Sequence, residues 1–289
     1  MNHALSTLRG RFRDDPSGTL ALVVLIALAL AILAAPFLAP QQPYDLAQLE
    51  ILDAKLPPGS HGTSGFTYWL GTDELGRDLW SAILYGLRVS FVVALVATVF
   101  ALALGTAIGI TAAYAGGRIE DAIMRVVDLQ LSFPAVLIAL ILLSVLGVGV
   151  DKIIVALICA QWAYYARTAR AAAVAEKSKE YVDAARVLGY SAPRIAFRHI
   201  LPNCVPPLIV VATAQIAHAV VLEATLSFLG LGVPITAPTL GLLVANGYPH
   251  LMAGRYWISF YPGLALVITI IVLNVVGDHV RRRLNAGMA

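Results

Sequence analysis

Apolar positions along this chain gather into six runs parted by polar stretches, near Gly18 to Ala39, Val89 to Tyr114, Leu131 to Val150, Ile153 to Ala166, Cys204 to Leu222 and Ile258 to Val276. None carries Asp, Glu, Lys or Arg in its interior. A helix needs about 20 apolar residues to cross a hydrocarbon core, so the pattern predicts an all-α integral membrane protein with six transmembrane helices, the fourth being the shortest. Composition agrees: 59% of residues are hydrophobic, only 13% are charged and mean hydropathy is +0.81, beyond what a soluble core of this length needs.

The basic residues set a sidedness. Arg9, Arg11 and Arg13, then Arg118 and Arg125, then the cluster from Arg167 to Arg198, then Arg281 to Arg283 make up 15 of the 20 Lys and Arg, all on one side of the predicted spans. Lys55, Arg77, Arg88, Lys152 and Arg255 fall on the other. The positive-inside rule then puts both termini in the cytoplasm. The net charge of +3 describes this topology rather than nucleic-acid affinity, because no basic patch is interleaved with aromatics. Arg9 to Arg13 ahead of an apolar run also resembles a signal peptide, but the run is long and ends in Pro36 and Pro40, which favours a retained first helix. The expected organisation is a cytoplasmic tail over 1–17, a first helix over 18–39, an external connector over 40–88, a five-helix core over 89–279 and a cytoplasmic tail over 280–289. Cys159 and Cys204 lie in or beside spans and read as apolar packing.

The polar stretch 172–203 belongs to the cytoplasmic side and has its own periodicity. Read as a helix, Glu180 to Leu188 has an apolar stripe of Tyr181, Ala184, Ala185 and Leu188, while Lys179, Asp183 and Arg186 recur on another face. Gly189 suits the left-handed residue that ends a helix, and Ser191 is placed to cap the next one. The pattern predicts helix, sharp turn, helix, with two alanines that let another backbone approach closely.

The connector is rich in Pro, Gly and polar residues and is expected to be loop. Within it Thr72 or Asp73 can cap a helix, and the runs Leu70 to Asp78 and Tyr85 to Ser90 form either a surface that meets a partner or a hydrogen-bonded connector that positions the second helix. The external stretch from Glu223 to Trp257, with Ser227 to Val233, Pro234, Pro238 and Asn246-Gly247, suits broken or re-entrant backbone and reads as an external gate or a plug of that face.

Enzymatic chemistry finds no support. There is no His-Glu-x-x-His, no carboxylate pair inside the spans and no phosphate-cradling Gly-x-x-x-x-Gly-Lys loop. An ion-coupled carrier or channel is the rival from another class. Ion coupling usually leaves ionisable groups within the membrane, where His218 alone qualifies, and a lone His there is more often hydrogen-bonded to a neighbouring helix.

One ordered set of motifs identifies a resemblance over nearly the whole chain. Leu70 to Asp78, Tyr85-Gly86 to Ser90, Gly116-Gly117, Met124 to Asp128, Ser132-Phe-Pro134, Tyr181 to Gly189, Leu201-Pro202-Asn203, Ser227 to Gly232, Pro262-Gly263 and Asn274 to Asp278 resemble the second permease subunit of dipeptide, oligopeptide and nickel ABC importers. That resemblance implies the type I ABC importer permease fold. It implies that 172–203 is the EAA loop, whose coupling helix sits in a groove of an ATP-hydrolysing subunit through Glu180, Asp183, Ala184, Ala185, Arg186, Leu188 and Gly189. It also implies a homologous permease across a pseudo-two-fold axis, two ATPase subunits carrying ATP and magnesium, an external or lipid-anchored binding protein, location in a bacterial inner membrane, and no cofactor on this chain. Asp183 stands where the loop's glutamate is expected and keeps its charge; the tail ends Arg281-Arg-Arg-Leu-Asn where the family has an Asp-Pro end, which puts tail contacts in doubt. Short peptides are the expected cargo, with nickel or a nickel chelate as the alternative. Gln215, Thr225, Ser227 and Asn246 can supply weak polar walls to a path, or hydrogen-bond between helices.

Overall fold

The computed structural model describes residues 16–45, 49–63, 65–234 and 236–286. The basic cluster Arg9, Arg11 and Arg13 lies outside them. The chain is mainly helical: α1 (Pro16–Leu33), α2 (Leu79–Ala115), α3 (Gly117–Ser132), α4 (Ala135–Leu146), α5 (Val150–Lys177), α6 (Glu180–Val187), α7 (Leu201–Phe228), α8 (Leu240–Gly247) and α9 (Trp257–Ala286). It divides into two compact units, Met1–Val92 with Glu223–Ala289, and Val93–Leu222.

Among the described residues four helical stretches are long and apolar enough to cross a membrane: Pro16–Leu33, Leu79–Ala115, Ala192–Phe228 and Trp257–Leu284. The pair α3 and α4 passes only together, and it is bent by 90°. Here the apolar run 131–150 departs from the single helix expected of it. Pro134 has no amide to donate and pushes Phe133 out of the helical region, to φ −94° and ψ 140°, so α3 stops at Ser132 and α4 keeps only 12 residues. Six spans therefore require counting α3 with α4 as one broken span and α5 as another. The 28 residues of α5 have the length, but Asp151, Lys152, Arg167 and Arg170 bound its apolar middle.

In the first unit the connector is ordered rather than plain loop. Ser60 pairs with Tyr68 and His61 with Thr67 in a two-stranded antiparallel hairpin. The Asp53 carboxylate, almost fully buried, accepts from Thr63 N at 2.9 Å and from Tyr68 Oη at 2.9 Å. Asp73 and Arg77 form an ion pair of 2.6 Å with both side chains fully buried. The Thr72 hydroxyl donates to Asp53 O at 2.6 Å and accepts from Leu56 N at 2.8 Å, while Trp257 Nε1 of α9 donates to Thr72 O at 3.4 Å. Neither Thr72 nor Asp73 caps α2: that role falls to Asp78, whose Oδ2 accepts from Ser81 N at 2.8 Å and Ser81 Oγ at 2.6 Å. Helix α2 accordingly begins ten residues before the predicted Val89, and of the two readings of Leu70 to Asp78 the buried connector is the one the geometry supports.

In the second unit α2 and α5 touch backbone to backbone. A Cβ on Gly105 would stand 2.2 Å from Trp162 O, and one on Gly109 2.3 Å from Ala166 O. Two glycines four residues apart give one smooth face, the small-residue device that membrane helices use to approach closely. Glu120 of α3 pairs with Arg170 of α5 at 2.6 Å, and the Lys177 ammonium donates to Ala113 O at 2.8 Å and Tyr114 O at 3.1 Å, closing the C-terminal end of α2 where a cation also suits the helix dipole. Gly109→Leu should drive α2 and α5 apart at a cost of about 3 kcal/mol, read as a lowered thermal midpoint of the detergent-solubilised chain, whereas Leu at the exposed Ala107 should leave the midpoint in place.

Candidate partner-docking site

The segment between α5 and α7 folds as helix, turn, helix, as its spacing predicts. Helix α6 spans eight residues. It ends in a Schellman arrangement: Gly189 N donates to Arg186 O at 2.9 Å, Tyr190 N donates to Ala185 O at 3.2 Å, and Gly189 takes φ +74°, which an L side chain rarely adopts. Ser191 holds the capping position of the next turn, Ala192–Ile195, but its side chain makes no capping hydrogen bond. Beyond it Ala196–Ile200 widens into a π turn before α7.

Which side of α6 faces inward differs from the predicted stripe. Val182 and Ala185 are buried, three residues apart, and pack with Ile195, Ile200, Cys204 and Leu208 in the unit's core. Tyr181, Ala184 and Leu188 are exposed. Counting Ala184 with Ala185 as one stripe misplaced its centre by one position, because Val182, not Tyr181, makes the inward turn. Of the seven predicted contact residues, Glu180, Asp183, Ala184, Arg186, Leu188 and Gly189 face outward, and Ala185 does not.

The outward side is braced from within. Tyr181 Oη donates to Glu176 Oε2 at 2.8 Å, Asn203 Nδ2 donates to Tyr181 Oη at 3.2 Å and to His199 O at 2.8 Å, and Lys179 pairs with Glu176 at 2.6 Å. Desolvation and then the Glu176 hydrogen bond push the Tyr181 phenol up to about 12, so it stays a neutral donor across the physiological range. Asp183 and Arg186 pair along the helix at 2.7 Å. The Tyr190 ring lies 5.6 Å from His199 and 5.4 Å below the Arg194 guanidinium. On this frame Val187 is 88% exposed and Leu188 69% exposed, two adjacent aliphatic side chains at the tip of a fixed helix with charges beside them. Val187 was not among the predicted contact residues; an aliphatic residue directly before the Leu-Gly turn was the signal for it.

The four residues read as a path fare differently. In the first unit, Ser227 is buried and its hydroxyl donates to Glu223 Oε1 at 2.7 Å, so it serves a contact inside the chain rather than a wall. Thr225 is half-buried, and Asn246 on α8 is half-buried with its Nδ2 lacking a hydrogen-bond partner. In the second unit, Gln215 accepts at its backbone oxygen from Gln161 Nε2 at 3.4 Å, and the Oε1 atoms of both glutamines are buried without partners. Glu223 itself escaped the sequence reading, which placed it in an external loop; α7 runs on to Phe228 and takes Glu223 inside as a fully buried carboxylate. Ser227 one turn later was the legible hint.

Apolar helices long enough to cross a membrane, holding one short amphipathic helix in a fixed pose with its aliphatic tip exposed, define a helical membrane protein with an ordered polar segment between its spans. Residues 105–289 match the model of the binding-protein-dependent transport system inner membrane component, and residues 6–58 match that of the N-terminal transmembrane domain of oligopeptide transport permease C. The chain belongs to this family of ABC importer permeases. It is 35% identical to the oligopeptide transport system permease protein OppC of Bacillus subtilis, over 95% of this chain and 87% of that one. It is also 35% identical to the nickel transport system permease protein NikC of Escherichia coli, over 92% of each. In structure it resembles a chain of the MetNI methionine ABC transporter in an inward-facing conformation, with a TM-score of 0.57 at 19% identity, covering 70% of this chain and 96% of that one. That likeness shows the type I importer permease fold. A subunit of this family is a multi-pass inner-membrane protein and not an enzyme; ATP hydrolysis belongs to separate subunits.

Proposed function

We propose that the chain forms half of the translocation path of an importer for di- and oligopeptides, paired with a homologous permease, with both termini cytoplasmic. Helix α6 docks in a groove of an ATPase subunit, which binds ATP and magnesium, and an external binding protein delivers the cargo. The observation that carries the coupling role is the Val187-Leu188 tip, exposed on a helix whose opposite side is locked into the core by Val182 and Ala185. A lever needs this: a stiff attachment on one side and a free apolar surface on the other. Glu180, Asp183, Ala184, Arg186 and Gly189 surround that surface, and Ala185 supports it from beneath.

Peptide cargo is supported by the match of residues 6–58 to the oligopeptide permease domain. Nickel is the second reading, because the nickel permease relative is as similar as the oligopeptide one. The complete complex, reconstituted with its own binding protein in liposomes loaded with ATP, should take up a labelled tripeptide saturably, and uptake should survive collapse of the proton gradient. Nickel uptake without peptide uptake would overturn the cargo. Uptake that follows the proton gradient would overturn the importer mechanism.

A further inference from the structure

Glu223 is the first unit's unexplained group. Its carboxylate is fully buried, and among the described residues no salt bridge reaches it. Two hydroxyls from different positions in the fold hold it instead, and a third stands near it. Ser90 of α2 donates to Oε2 at 2.6 Å and Ser227 one turn further along α7 donates to Oε1 at 2.7 Å, while the Thr239 hydroxyl is the third polar neighbour. A buried carboxylate satisfied only by neutral donors is costly, and an apolar residue would hold helices together at less expense. What the carboxylate adds is direction.

Thr239 shows where that direction leads. It is the N-cap of α8, and its Oγ1 accepts from Leu242 N at 3.2 Å, so a neighbour of the carboxylate also fixes the first turn of α8. The rest of α8 has little freedom. A Cβ on Gly241 would stand 2.2 Å from Ala224 O of α7, one on Gly247 would stand 2.5 Å from Ser259 N of α9, and Ser259 Oγ donates to Val244 O at 3.1 Å. At the far end of this fixed helix the Asn246 amide nitrogen is buried and has no acceptor. Buried donors are nearly always paired, so a rigidly placed and unspent one calls for an acceptor from outside the chain.

We propose that Glu223 is a positioning residue for transport, which through Thr239 sets α8 so that the Asn246 amide is presented to a backbone carbonyl of the peptide cargo when the path opens. The inference rests on the peptide reading. Carbonyl recognition fits a conduit that must accept many side chains, since the backbone carbonyl is the feature that all peptides share.

The test uses the reconstituted complex and follows tripeptide uptake and ATP hydrolysis together at saturating, peptide-loaded binding protein. Asn246→Leu keeps the volume and removes the donor. It should lower peptide uptake about tenfold, the scale of one lost buried hydrogen bond, while the partner subunits still hydrolyse ATP in response to the loaded binding protein. Glu223→Gln and Thr239→Val should produce the same split, Thr239→Ser should restore wild-type uptake, and combining Glu223→Gln with Asn246→Leu should add little to either alone. Unchanged uptake in Asn246→Leu would overturn the proposal. So would uptake and ATP hydrolysis falling in parallel, or multiplicative losses in the double variant. If Glu223→Gln fails to assemble, the contrast between Thr239→Val and Thr239→Ser decides. If Asn246→Leu fails to assemble, the donor serves the partner permease and the proposal is wrong. A wild-type complex that imports no peptide strikes the cargo reading, whereas wild-type import with unaltered variants strikes this inference alone.

Discussion

A carboxylate at the tip of α6 should disconnect ATP hydrolysis from transport. In Leu188→Asp, and still more in Val187→Asp combined with it, a charge replaces an aliphatic side chain that the free chain leaves mostly in solvent. The folded permease loses almost nothing, because neither side chain belongs to its core. The docked complex loses an apolar anchor and must desolvate a carboxylate in its place, a loss typical of interface hot spots at about 2 kcal/mol or more, or roughly thirtyfold in affinity. Co-purification of the ATPase subunits should fall by that factor and peptide uptake with it, while the thermal midpoint of the detergent-solubilised permease stays where it was. Ala185→Trp is the contrasting case: Ala185 is buried in one cluster with Ile195 and Ile200, so the larger side chain should lower the thermal midpoint before any effect on docking can be read. A Leu188→Asp complex that assembles and transports at the wild-type rate would show that α6 is not the coupling element.

The contrast between the exposed tip and the buried Ala185 shows what the sequence could and could not reveal about α6. Its existence, its end at Gly189 and its location between apolar spans were legible, because a left-handed glycine and a change from membrane to polar composition are local signals. Its orientation was not. Over eight residues the positions Tyr181, Val182, Ala184, Ala185, Val187 and Leu188 are all apolar or amphipathic, so two stripes about 100° apart fit equally well, and only the packing of Ile195, Ile200 and Leu208 chooses Val182 with Ala185. The same limit applied to Glu223. A carboxylate following Leu222 looks like the end of a span, since hydropathy weighs each residue alone, and the three hydroxyls that admit it come from positions 90, 227 and 239. The break at Pro134 was visible as a residue but was outweighed by the apolar run on both sides of it.

The connector supplies the second large effect. Arg77 and Asp73 are both fully buried, and the carboxylate also accepts from Leu75 N at 2.9 Å and Arg77 N at 3.0 Å, so this one side chain organises the turn that leads into α2. Arg77→Met would keep most of the volume but leave Asp73 as an unpaired buried anion, a change that costs about 3–5 kcal/mol in comparable settings. Asp73→Asn in the same chain should return part of that loss, because the amide oxygen still accepts from the two backbone amides while the uncompensated charge is gone. The expected result is a strongly lowered thermal midpoint and rapid proteolysis within 49–78 for Arg77→Met, partial recovery of both in the double variant, and little change for substitution of the exposed Trp69. Equal stability of Arg77→Met and wild type would mean that the buried pair is not what holds the connector. Because Thr72 O accepts from Trp257 of α9 and Asp78 caps α2, loss of this turn would loosen the N-terminal ends of two helices together, and peptide uptake should fall in parallel with the midpoint.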